Sequence, residues 1–156
     1  MTAKTERRSA ARPSADARHH GREAALQMLY QWEVGRLSMH EVRDTFWSHA
    51  DGPASTLPDA IRDFAAALAG GVADEVARLD TLIAEAAEHW RLERMNVLDR
   101  LILRLATYEL LHAPATPARV VINEALELAR TFSGDDAVRF INGVLDAIRR
   151  RTLDHP

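Results

Sequence analysis

Apolar side chains recur every three or four residues along most of the chain, and short polar stretches interrupt them, which is the pattern of amphipathic helices packed on a common core. In DARHHGREAALQMLYQWEV, residues 16–34, Ala25, Met28, Leu29 and Trp32 keep that spacing, and Gly35 stands where a helix stop belongs. The run Ser38-Met39-His40-Glu41 has the serine and glutamate of a capping box. It predicts a second helix with Met39, Val42 and Phe46 inward, ending before Asp51-Gly52-Pro53. Pro58 suits the first turn of a third helix, where its missing N–H costs nothing. The stripe that follows, Ile61, Phe64, Leu68, Val72, Val76, Leu79 and Ile83, keeps its phase and predicts one long helix to about residue 90. Gly70 and Gly71 lie inside it at a cost of roughly 1 kcal/mol each, so a closely packed neighbour or a small bend is expected there.

A short helical turn is expected over residues 92–95, after which Asn96 can cap a helix that turns Leu98, Leu101, Ile102, Leu105 and Tyr108 inward until Pro114. Thr116 as cap and Pro117 as first helical residue open the next, with Val121, Ala125, Leu128 and Phe132 on its buried face. Ser133 or Asp135 caps the last, whose inward residues are Ile141, Val144, Leu145 and Ile148. Glycine-bracketed segments with period-two alternation are absent, so the fold class is all-α, with about seven helices. The widest gap in the pattern is residues 48–57. The expected organisation is one helical domain over 16–156, made of an N-terminal part (about 16–80) and a C-terminal part (about 81–150) that share the long third helix.

Length and composition narrow the class. With 156 residues and 47% hydrophobic content, the chain can bury one core. No cysteine is present, which excludes disulfides and cysteine-bearing zinc sites. Residues 1–22 lack the apolar stretch of a signal peptide, and no run approaches the roughly 20 residues of a membrane span, so a soluble cytoplasmic protein without a membrane role is expected. Residues 1–15, with Pro13 and scattered charge, read as a disordered basic arm. Charge is unevenly spread: residues 1–22 have six basic groups against Glu6 and Asp16, or +4, leaving −7 for the remainder of a chain whose net charge is −3. A basic arm on an acidic body suits contact with nucleic acid and equally suits a merely solvated terminus. Of the 20 basic residues only Lys4 is lysine, which favours planar guanidinium groups.

The residues offer little to an enzyme. The histidines are scattered, and there is no HExxH, no phosphate-binding glycine loop and no carboxylate pair in an apolar setting. His19 and Glu23 share a helix face at i, i+4, but nearby arginines would repel a cation, so neither a metal nor a cofactor is expected. Glu124 is accounted for by a capping or interhelical hydrogen bond. Asn123 and Asn142 interrupt apolar stretches; an interhelical hydrogen bond explains each more simply than ligand binding does, and Gly143 permits close backbone approach.

Three segments, REAALQMLYQWE, DRLILRLATYELL and VVINEALELARTFSGDDAVRFINGVLDAI, resemble the NusB family of transcription antitermination factors, over about residues 18–148. The resemblance implies two perpendicular helix bundles. It also implies partners: the single-stranded boxA element of ribosomal RNA transcripts, ribosomal protein S10, and the other Nus factors of the elongation complex on RNA polymerase. A homodimer that covers the RNA surface is a further possibility, and no catalytic activity or cofactor is implied. Carried over by motif, the RNA surface falls on Arg18, His19, His20 and Arg22 at the start of the first helix, on Tyr30 further along it, and on Phe132, Asp136 and Arg139. Arginine, histidine and tyrosine supply the cations and flat groups that single-stranded RNA requires. The S10 face is expected on the exposed sides of residues 90–112. Family members commonly have arginine or lysine where His19 and His20 stand, so affinity for RNA is expected to rise as pH falls from about 7.5 to 6. Two other readings use the same residues. One is a helical protein-binding scaffold with a solvated arm. The other is a stand-alone relative of the RNA-binding domain of ribosomal RNA cytosine methyltransferases, whose catalytic domain has no counterpart in this sequence.

Overall fold

The computed structural model describes residues 15–88 and 90–153; the expected basic arm lies outside the described residues, except for Ala15, which opens the first helix. The elements are α1 (Ala15–Val34), α2 (Met39–Thr45), 3-10 turns over Phe46–His49 and Gly52–Thr56, α3 (Asp59–Asp74), α4 (Val76–Ala86), a 3-10 turn over Leu92–Arg94, α5 (Val97–His112), α6 (Ala118–Phe132) and α7 (Asp135–Thr152). The described residues thus form an all-α fold of seven α-helices without a strand. No helix among them is long and apolar enough to cross a membrane.

Local chemistry sets most of the boundaries. The Ser38 hydroxyl accepts the Glu41 N–H at 3.1 Å, and the Asn96 side chain accepts the Leu98 N–H at 2.8 Å, as the sequence predicts. Pro58 and Pro117 turn out to be the caps themselves, with α3 and α6 starting one residue later. Neither Ser133 nor Asp135 caps α7. The cap is Gly134 at φ 128°, a conformation open to glycine, and the Ser133 hydroxyl donates instead to Asp99 of α5. At the end of α1 the left-handed residue is Arg36 (φ 55°), one place beyond Gly35.

The long third helix is interrupted. Glu75 (φ −111°, ψ 17°) separates α3 from α4, and its carboxylate is held by His112 of α5 and by Arg78 at 3.3 Å. The apolar stripe keeps its phase across the break, and so the pattern conceals it. The glycines mark a close neighbour: a Cβ on Gly71 would fall 2.2 Å from Cζ of Tyr108.

Most of α5 is solvent-free, with Leu101, Ile102, Leu103, Leu105 and even Arg104, Thr107 and Glu109 buried. It packs against α1, α3, α4, α6 and α7 and is the common floor of the molecule. Asn123 and Asn142 are both exposed and make no interhelical hydrogen bond among the described residues, contrary to expectation, because the apolar stripes of α6 and α7 leave those positions facing outward.

Candidate nucleic-acid interface

His19, Glu23, Leu26 and Tyr30 are spaced i, i+4, i+7 and i+11 along α1, so they fall on one stripe, with about 16 Å of helix between the first and the last. On α6, Glu124 meets the His19 end and Phe132 meets the Tyr30 end, so the two helices flank a furrow in the same direction. Helix α5 runs beneath in the opposite sense, with Glu109 under Arg22 and Leu98 under Tyr30.

One end of this furrow is ionic. His19 Nδ1 lies 2.7 Å from Oε2 of Glu124, and its Nε2 lies 2.9 Å from Oε1 of Glu23. A neutral imidazole has one N–H, so both carboxylates are satisfied only by the imidazolium. Burial disfavours that cation, but the hydrogen bond and charge of Glu124, then those of Glu23, outweigh it and raise the His19 pKa above its ordinary 6.5. His20 Nδ1 stands 3.5 Å from the other Glu23 oxygen, beyond a good hydrogen bond, and a third of the side chain is open to solvent. Glu124 is thereby the interhelical partner its position predicts.

Arg22 is the expected RNA-surface residue that the fold encloses. It is 4% exposed, and its guanidinium donates from Nε at 2.7 Å and from Nη2 at 3.0 Å to the two carboxylate oxygens of Glu109, which is also buried. Its other face lies over the Phe64 ring at 5.4 Å. The apolar stripe of α1 extends back through Arg22 to Gly21, which places this arginine on the core side of the helix. Arg18 retains partial exposure and has no carboxylate partner among the described residues.

The other end is apolar and open. Leu26, Gln27, Tyr30 and Gln31 of α1, Leu98 of α5 and Phe132 of α6 line a pocket of about 290 Å³. Tyr30 is 42% exposed at its mouth. Beyond Phe132 the chain turns at Gly134, with Ser133 pinned to Asp99, and presents Asp136 and Arg139 to solvent on the first turns of α7. The structure therefore brings Tyr30 and Phe132 together, continues to Asp136 and Arg139, and sets Arg18, His19 and His20 at the far end of α1.

The pattern of the sequence missed Gln27 and Gln31, which line the pocket together with Tyr30; Gln27, three residues before Tyr30, shares its face of the helix. It also missed Trp90, which is 59% exposed and packs on Phe140 at 5.3 Å between ring centroids. Because α5 is largely buried, the solvent-facing part of residues 90–112 is mainly the connection around Trp90 to Arg94.

Comparison with known proteins gives a consistent result. The family model described as NusB family matches residues 19–150. The transcription antitermination protein NusB of Koribacter versatilis (strain Ellin345) is 46% identical over 133 residues, covering 85% of this chain and 88% of that protein. The solved structure of T. maritima NusB superimposes with a TM-score of 0.75 at 32% identity, covering 85% of this chain and 90% of the other. A crystal structure of antitermination factors NusB and NusE in complex with dsRNA has a TM-score of 0.73 at 21% identity, over 88% of this chain and 99% of that one, a likeness of fold.

Proposed function

Because the chain belongs to the NusB family, we propose that it is a non-enzymatic transcription antitermination factor that binds the boxA element of ribosomal RNA transcripts together with ribosomal protein S10. On RNA polymerase this complex would join the other Nus factors and favour continued elongation. The observation that supports the reading is the furrow between α1 and α6, which ends in the open pocket at Tyr30 and Phe132 and continues to the exposed Asp136 and Arg139.

In this reading Arg18, His20 and Arg139 neutralise phosphates, Tyr30 and Phe132 receive bases, and Asp136 accepts a hydrogen bond from a base amino group. His19 and Arg22 act inside the protein: one ties α1 to α6, the other ties α1 to α5. A gel shift with boxA RNA, with and without S10, tests the proposal. A shift that strengthens with S10 is expected; no shift in either lane would leave a protein-binding scaffold.

A further inference from the structure

Two side chains that stand where helix caps belong are used elsewhere. Asp99 is the third residue of α5 after its cap Asn96, the place from which a carboxylate can close a capping box. Ser133 lies one residue ahead of the α7 cap, and a serine at a helix start ordinarily accepts an N–H of the first turn. Instead, the Ser133 hydroxyl donates to a carboxylate oxygen of Asp99, across 34 residues of sequence. A hydroxyl on an ionised carboxylate makes a strong hydrogen bond, and this one is partly shielded from solvent. Among the described residues it is the only hydrogen bond or ion pair that ties the α6–α7 turn to a helix outside that hairpin.

The turn has need of such a tie. Gly134, at φ 128°, belongs to the residue type with the widest backbone freedom, and α7 starts on it without a side-chain cap. The Ser133 and Gly134 N–H groups bond to the Ala129 carbonyl and so hold the end of α6, on the near side of the glycine. Leu98, next to Asp99, lines the pocket with Phe132, so one turn of α5 faces the end of α6 at both Phe132 and Ser133. We propose that Asp99 is a positioning residue: acting through Ser133, it sets the α6–α7 turn and with it the place of Phe132, Asp136 and Arg139 relative to Tyr30. Asp99 itself touches no RNA. A turn held in place before RNA arrives has less freedom to lose on binding, so the tie raises affinity without adding a contact. This role rests on the RNA-binding reading above.

The test is a double-mutant cycle on the full chain, with S10 and labelled single-stranded boxA RNA. Ser133→Ala and Asp99→Ala should each weaken binding roughly 3- to 30-fold, and the double variant should be no weaker than either single one. Removing a negative charge would by itself strengthen RNA binding, so a loss in Asp99→Ala has another cause. Ser133→Thr keeps a hydroxyl and Asp99→Asn keeps an acceptor, and each should restore most of the affinity. The slope of log K against log salt should stay at the parent's value throughout, because no cation is removed. Thermal melts show that each variant is folded. Amide hydrogen exchange of the free protein gives a readout independent of RNA: residues 133–138 should exchange faster in Ser133→Ala, while α1 keeps the parent's protection. Unchanged exchange at the turn overturns the proposal, as does full RNA affinity in a Ser133→Ala protein whose turn exchanges faster. Losses that add in the double variant also overturn it, since Asp99 would then act by a contact of its own. If the parent binds no RNA with S10 present, the RNA-binding reading falls and the role in binding falls with it, and faster exchange at the turn would then mark a purely structural tie.

Discussion

The two ends of the α1–α6 furrow contain the same kinds of residue that a search for RNA contacts would select, yet they differ in what those residues have left to offer. At the ionic end two of the cations already have acidic partners: His19 has two carboxylates, and Arg22 has both oxygens of Glu109. At the aromatic end the side chains line an open pocket, with Tyr30 half-exposed at its mouth. Cationic character in a sequence is thus not the same as cationic surface. An arginine that falls in phase with a buried stripe is taken up by the protein, while a tyrosine out of phase with it remains available.

Removing Arg22 breaks this comparison most forcefully if it is wrong. Arg22→Ala leaves the Glu109 carboxylate buried and unpaired, and should destabilise the fold by about 3–5 kcal/mol. Replacing both partners, Arg22→Met with Glu109→Leu, should recover most of that loss, because the desolvation cost of the two charges disappears along with their attraction. Urea unfolding of the two variants measures the difference. RNA affinity of the folded double variant should match the parent's; a large loss of affinity without a loss of stability would return Arg22 to the RNA surface.

A smaller effect sharpens the role of His19. Its folded pKa is raised, so the stability it contributes is complete below the unfolded value near 6.5 and is lost as pH rises through the higher folded value. The stability gap between the parent and His19→Gln should therefore be about 1 kcal/mol at pH 6 and shrink with rising pH. Denaturant melts of both proteins at a series of pH values read this gap directly; one that grows with rising pH would contradict the imidazolium clamp. Any strengthening of RNA binding between pH 7.5 and 6 should persist in His19→Gln. Loss of the pH response in His19→Gln would instead put His19 on a phosphate.

What could be read from the sequence divides along the same physical line. Helix positions followed from periodicity, and the caps at Ser38 and Asn96 from residue type, because both are local. The interruption at Glu75 was hidden because it preserves the phase of the stripe and is held by His112, more than thirty residues away in sequence. At the site, Tyr30 and Phe132 could be named, but not their meeting, since that depends on how α6 lies along α1 over the floor of α5. The enclosure of Arg22 could not be read because its partner Glu109 is 87 residues distant, and pairing of that range leaves no mark in composition. Asn123 and Asn142 misled in the opposite direction: polar residues among apolar ones suggested an interior role, whereas each lies on the outward edge of its helix.

The smallest expected effect separates surface cations from internal ones by counting them. Each phosphate neutralised on single-stranded RNA contributes about −0.7 to the slope of log K against log salt. If Arg18, His20 and Arg139 are the contacts on the described surface, together they contribute at most about −2. Arg18→Ala and Arg139→Ala should each make the slope shallower by about 0.7 at a fixed pH near 6, measured by fluorescence anisotropy across a salt series. The double variant of Arg22 and Glu109 should leave the slope unchanged, since the pair it removes releases no counterion on binding. A slope that shallows with that double variant and not with Arg18→Ala would mean that the buried pair opens when RNA arrives, and the contrast between the two ends would then hold only for the free protein.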